Sequence, residues 1–259
     1  MKKISIVIIA KNEELKLQRT LHSIKGRDWV DEIVLVDSGS QDQTIEIAKA
    51  NGCRVIHQPF LGYGEQKNIG VDAANNDWIL NIDADEVISD ELSSEIQTLD
   101  LTATQAYGYH ILISLVFLGR RMRYGRQFRK PHLRLFNRQL AKFRTTQVHE
   151  KVMPLSESDL QREVPTLRGE VYHYSYDNLH EYFEKFNHYT TLAARDLKAK
   201  KNQKSKRLLI YFRFPLTFLK IYLIHGSVLD GYQGFIWSMN SAFYNVIKYA
   251  KFDELKNLE

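Results

Sequence analysis

Four short apolar runs set the frame of this chain: ISIVIIA (4–10), EIVLVD (32–37), CRVIHQ (53–58) and WILNID (78–83). Segments of helical spacing lie between them. EELKLQRTLHSIK places Leu17, Leu21 and Ile24 on one face, and SGSQDQTIEIAKANG reads as a turn and a short helix closed by Gly52. YGEQKNIGVDAAN reads as a third helix. Strand, helix, strand, helix predicts an α/β fold whose sheet is parallel, with right-handed crossovers. Ligands of such sheets bind beyond the carboxyl ends of the strands. Asp37 ends the second run, Asp83 ends the fourth with Asp85 just beyond, and Lys11, Asn12 and Glu13 follow the first. All are expected on one edge.

The remainder is less regular. AYGYHILISLVFLG (106–119), HLRLFN and KFRTTQVHEKV have strand character and are expected to extend the sheet by antiparallel or mixed pairing. From Leu179 the pattern turns helical, and a further apolar and aromatic stretch covers 208–225. This predicts a catalytic domain over 1–178 and a helical, amphipathic C-terminal region over 179–259. A hydrophobic content of 44% with 12% aromatics excludes a disordered or fibrous chain. The single cysteine, Cys53, excludes an internal disulfide and a cysteine-based zinc site and fits a reducing cytoplasm. The opening MKKISIVIIAKNEE reads as a strand, not as a secretion signal.

Asp83 and Asp85 are two residues apart, so in an extended chain both point to one side. Paired carboxylates repel unless a cation or proton joins them. Hard divalent ions take oxygen ligands and bridge to substrate diphosphates, which makes D-x-D at a strand end a metal–diphosphate clamp. The competing reading is a helix N-terminus: Ser89 caps, and Asp90 and Glu91 face the helix dipole. For Asp37 the competing reading is a cap on the turn SGSQD, for Glu13 a first-turn acid, and for Lys67 a solvated lysine.

SIVIIAKNEE, IVLVDSGSQDQT, GYGEQKNIGVDAA and WILNIDADE resemble, in order and spacing, the successive motifs of the family 2 glycosyltransferases with the GT-A fold. That resemblance implies a mostly parallel central sheet with flanking helices, a nucleotide-diphospho-sugar donor, and transfer with inversion of the anomeric centre. It implies that Ile9 and Lys11 line the base, although Lys11 stands where the family often has an aromatic ring. Glu13 would order the nucleoside and Asp37 would bond the pyrimidine. Lys67 would lie near the diphosphate, Asp83 near the ribose or metal, and Asp85 on the metal, Mg²⁺ or Mn²⁺. Inversion also needs a base for the acceptor hydroxyl. VHEKV offers Glu150 for that role, with His149 as a metal or phosphate contact. His173 in EVYHYSY is a further candidate, though a lone histidine between aromatics is more often structural.

GRRMRYGRQFRKPHLRLFNR (119–138) mixes arginines with aromatics. Nucleic acid would suit it, but beside a sugar-nucleotide site an anionic acceptor or the donor diphosphate is the nearer reading, and no nucleic acid is expected. KAKKNQKSKRLLIYFRFPLTFLKIYLIHG (198–226) is a basic run leading into an apolar one that Arg213, Pro215 and Lys220 interrupt. It reads as a helix lying on an anionic leaflet, or as an ordinary core helix. The order VHEKV, HYSY, then LDGYQGFIWSMNSAFY resembles the lipopolysaccharide-core β-1,4-glucosyltransferases that act on inner-core heptose. This implies UDP-glucose as donor, an anionic glycolipid as acceptor, and a peripheral place on the cytoplasmic face of the inner membrane. Two rivals share the features. A sugar nucleotidyltransferase would open with a glycine-rich loop, which AKNEELK lacks. A catalytically inactive GT-A-like module would tether to membrane or RNA.

Overall fold

The structure is a computed structural model and describes residues 3–144, 150–199 and 207–257. The chain forms two compact units, Met1–Ser114 with Arg129–Tyr174, and Leu115–Phe128 with Ser175–Glu259.

The first unit begins with the four runs. They form β1 (Ile4–Ala10), β2 (Val30–Asp37), β3 (Arg54–His57) and β4 (Trp78–Asp83), in the spatial order β3-β2-β1-β4 and all parallel. Helices α1 (Glu14–Ile24), α2 (Thr44–Ala50) and α3 (Tyr63–Ala73) make the crossovers. Alternation in β1 divides the core into two layers. Ile4, Ile6 and Ile8 pack with Leu17, Leu21 and Ile24 of α1 on one face. Val7, Val34 and Ile79 pack with Val71 of α3 on the other. Gly70 lets α3 approach this second face closely: a Cβ there would stand 2.5 Å from Val7 Cγ1 and 3.1 Å from Val36 Cγ2.

Beyond β4 the sheet becomes antiparallel. After β5 (Glu86–Ile88) and α4 (Asp90–Thr98), β6 (Gly108–Phe117) carries a short partner, β7 (Arg120–Arg121), and pairs with β8 (Lys130–Asn137). β8 pairs antiparallel with β4, and β11 (Thr166–Tyr176) pairs antiparallel with β5. The whole is a mixed nine-stranded sheet of order β3-β2-β1-β4-β8-β6-β11-β5, with β7 on β6.

The expected extension by KFRTTQVHEKV takes another form. β9 (Ala141–Arg144) and β10 (Lys151–Pro154) pair only with each other, as a separate antiparallel ribbon. The ribbon is fixed to α3, where Asn68 donates to the Phe143 carbonyl at 2.9 Å and accepts from its N–H at 3.1 Å.

The second unit holds α5 (Leu179–Ala199), α6 (Arg207–Leu219) continued by a π-helical segment (Lys220–Ile224), and α7 (Gly231–Asn257). Its core is aromatic: Phe117 lies edge-on to Tyr182 at 5.7 Å and to Trp237 at 5.3 Å. Among the described residues no helix is long and apolar enough to cross a membrane.

Candidate active site

Register in the parallel half fixes what meets at the sheet edge. Ala10 lies opposite Asp37, Ile9 opposite Asp83, and Asp37 opposite His57. The β1 and β2 turns are tied together just beyond. Asn12, in the left-handed region that Asn tolerates (φ 55°), accepts from the Gln41 N–H at 2.8 Å, while its own N–H donates to Ser40 Oγ. Glu13 donates its backbone N–H to Thr44 Oγ1 at 2.8 Å. Ile9 is partly buried and Lys11 exposed. Asp37 is buried and accepts from the Gly39 and Ser40 N–H groups at 3.0 and 3.2 Å, so it caps its own turn; His57 Nδ1 lies 3.5 Å from its carboxylate.

The second cluster forms where β4 meets the antiparallel strands. Asp83 is gripped from both sides, by Lys67 Nζ at 3.1 Å and Arg134 Nη2 at 2.9 Å. Burial favours its neutral form, but the Arg134 and Lys67 charges outweigh this and hold the carboxyl well below the usual range. Arg134 also reaches Asn81 Oδ1 at 2.9 Å and Glu86 Oε1 at 2.8 Å. Glu86 is buried and faces Asp83 as well as Arg134. Desolvation prevails there and pushes its carboxyl up. The second Glu86 oxygen accepts the Asp83 N–H at 2.8 Å.

Asp85 belongs to neither pairing. The chain turns at Ala84, so Asp85 does not extend the strand of Asp83 as the two-residue spacing predicts. It meets His173 Nε2 at 3.1 Å, brought there by the β11–β5 pairing that sets His173 opposite Glu86. Burial opposes the imidazolium, but the bond to Asp85 and its charge raise the imidazole pKa to about 9. The same bond keeps Asp85 lowered against its own desolvation. His173, a candidate from the sequence with a structural role as the commoner alternative, is placed beside Asp85 of the D-x-D.

Lys67 joins the halves of the site. Its ammonium lies 3.1 Å from Glu150 Oε1 as well as from Asp83, and 5.5 Å from the centre of the Phe143 ring. The residues expected for diphosphate and base are therefore in contact. Lys67, His132, Arg134, Phe143, Glu150 and Met153 line a cavity of about 600 Å³, a size that takes a sugar with its phosphates. His149 lies outside the described residues. Arg134 is the functional residue the sequence hides. It sits in an arginine-dense stretch read as one basic surface, yet its side chain is mostly buried against acids. The available signal is strand alternation, which sets a lone cation between Leu133 and Leu135 in HLRLF.

Among the described residues no three His, Cys, Asp or Glu side chains converge to hold a metal ion by themselves. Asp85 offers a divalent cation one hard oxygen, while His173 Nε2, 3.1 Å away, carries the proton of their bond and orients that carboxylate, so further coordination would have to come from Asp83, a donor diphosphate and water.

The chain is similar to known proteins over most of its length. The family description Glycosyl transferase family 2 matches residues 5–153. An uncharacterized glycosyltransferase of Rickettsia typhi is 35% identical, covering 98% of this chain and 88% of its own length. The lipopolysaccharide core biosynthesis glycosyltransferase LpsC of Rhizobium meliloti is 28% identical, covering 96% and 91%. Among solved structures, glucosyl-3-phosphoglycerate synthase of Mycobacterium tuberculosis, in complex with Mn²⁺, UDP and its product, is 29% identical over 46% of this chain and 45% of that one, with a TM-score of 0.34.

Proposed function

The chain belongs to glycosyl transferase family 2, and from that premise we propose that it is an inverting hexosyltransferase which moves glucose from UDP-glucose to an inner-core sugar of a lipopolysaccharide. The observation that carries the reading is the Lys67 bridge, which sets Asp83 and Glu150 on either side of one buried cation, with Lys67 and Glu150 lining the cavity. A lipopolysaccharide-core acceptor is supported by the name of LpsC, and glucose and the inner-core position by the resemblance of the second half of the chain alone. Such an acceptor is presented at the cytoplasmic face of the inner membrane, where this reading places the reaction.

The roles follow from the chemistry of transfer. Ile9, Lys11, Glu13 and Asp37 form the nucleoside end of the site at the sheet edge. Lys67 and Arg134 orient the diphosphate, exchanging part of their contact with Asp83 for phosphate oxygens. Glu150 takes the proton of the acceptor hydroxyl as its oxygen attacks the anomeric carbon from the face opposite the leaving group. The bond to the diphosphate breaks as the new one forms, and UDP departs with the electron pair. Asp85, with Asp83 beside it, would hold Mg²⁺ or Mn²⁺, and His173 would orient the Asp85 carboxylate. A bound cation there stabilises the charge that develops on the leaving diphosphate.

UDP release by the purified protein tests this, with a panel of UDP-sugars, with and without inner-core lipopolysaccharide, and with Mg²⁺, Mn²⁺ or a chelator. Release from one donor that rises with acceptor is expected. Glu150→Gln should lower kcat by about 10²-fold or more while donor binding persists. Loss of donor binding instead would remove Glu150 from the role of base. Asp85→Ala should abolish metal-dependent turnover in a folded protein, and an unchanged rate would overturn the metal assignment.

A further inference from the structure

In the second unit, α6 and the π-helical segment run together from Arg207 to Ile224. Along the described part the solvent-facing positions recur every four residues, and they are apolar: Tyr211, Phe212, Leu216, Leu219, Leu223 and Ile224, with Lys220 the charged member. Tyr211 is 77%, Phe212 67% and Ile224 78% exposed. A surface helix normally shows water its polar face; here that face is inverted. The stripe is not a gap in the core, because the inner side of the same helix is already covered. Phe218 and Tyr222 stack at 5.2 Å, and both meet the edge of Phe235 on α7. The apolar surface continues through Leu229 and Tyr232.

Charge distinguishes the possible occupants. Residues 197–229 carry eight Lys or Arg and no Asp or Glu, against a net charge of +5 for the whole chain. A second copy of the chain would cover the stripe but set two such segments against each other, and like charges repel. An anionic bilayer satisfies both parts at once, with an apolar interior for the stripe and lipid phosphates for the cations.

We propose that the face formed by residues 211–232 lies in the interface plane of an anionic membrane. The aromatic and aliphatic stripe enters the acyl boundary and Lys220, exposed on the stripe, meets the headgroups. Aromatic rings suit that depth, and the absence of a spanning helix among the described residues fits a helix that lies flat. The inference rests on the second unit alone and stands apart from the reading of the donor site.

Vesicle co-sedimentation of the full chain is the test. The expected result is binding to phosphatidylcholine vesicles containing about one-third phosphatidylglycerol, with about tenfold less on pure phosphatidylcholine and a loss at high salt. The outward variants Leu216→Glu and Ile224→Glu, combined, should reduce binding about tenfold or more with an unchanged unfolding midpoint. No binding to anionic vesicles would overturn the proposal, as would equal binding to both compositions or wild-type binding by the combined variant. A dimer in ultracentrifugation that this variant dissociates, with no vesicle binding, would assign the face to a second copy and overturn it equally.

Discussion

Gly70→Ala tests whether the closeness of α3 to the sheet sets the geometry of the site. The added Cβ would stand 2.5 Å from Val7 Cγ1, and Val7 is fully buried in the middle of the central strand. Ordinary carbon contacts begin near 3.5 Å, so α3 must retreat by about 1 Å. Lys67 lies one turn earlier on that helix, 3.1 Å from both Asp83 and Glu150. A retreat of that size takes its ammonium to about 4 Å from Asp83, beyond hydrogen-bonding reach, while Glu150, beside the ribbon that Asn68 ties to α3, moves with the helix. The stability effect is smaller. Overpacking costs about 1–3 kcal/mol, and Ala in place of Gly inside a helix returns up to about 1 kcal/mol. A net loss of about 0–2 kcal/mol in urea unfolding is therefore expected, with turnover lower by about 10²-fold. Adding Val7→Ala, which makes room for the methyl, should restore part of the turnover and give a coupling of about 0.5–3 kcal/mol. If Gly70→Ala unfolds like the wild type and turns over at an undiminished rate, the close approach does not set the position of Lys67 and the reasoning fails.

Arg134→Met removes the cation from between Asp83 and Glu86 and leaves the buried Glu86 carboxyl without its cation, while Asp83 keeps Lys67. The expected cost is about 3–5 kcal/mol in chemical unfolding, and a loss below about 1 kcal/mol would show that the hub is not a structural pair. Cys53 is buried, and desolvation pushes its thiol up to about 11. At about pH 8 roughly one thiol in 10³ is thiolate, so a disulfide reagent should label the native protein only as it unfolds; rapid stoichiometric labelling would refute this. The folded thiol holds its proton more tightly than the unfolded one, whose ordinary value is 9.0. Its contribution to stability is therefore complete below that pH and is lost as pH rises towards 11, which alkaline unfolding curves of Cys53→Ala against wild type should show.

The parallel half of the fold is legible because its determinants are local. β1 to β4 are unbroken apolar runs, α1 declares itself through Leu17, Leu21 and Ile24, and all three of those residues are buried where the spacing puts them. The turn chemistry of Gly52 (φ 78°) needs no distant partner to be read. Local legibility ends at β5, three residues long, and at the β9–β10 ribbon, whose strand propensity does not reveal that it leaves the main sheet. Period-two alternation says which residues share a face, but not which strand they will pair with.

The same limit separates the legible from the hidden residues of the site. Asp37, Asp83 and Asp85 are legible because topology alone sends strand ends to one edge. Arg134 is not, because what gives it meaning is 48 to 53 residues away, and His173 can be named as a candidate but its partner Asp85 cannot, because one antiparallel pairing brings them together. Lys67 and Glu150, 83 residues apart, can each be proposed singly, but their contact cannot. This has a physical cause. A cation enters the interior only where acids already wait for it, so its burial is a property of the folded neighbourhood and not of its own segment. Asp83 could serve no diphosphate if it stood unpaired and repelled every phosphate that approached. The two buried cations cancel that repulsion, and they come from α3 and β8, elements with no sequence link to the motif they serve. The D-x-D therefore works as part of a charge-balanced cluster assembled by long-range packing. Its three-residue signature marks the place, while the cations that balance its charge are supplied from elsewhere in the fold.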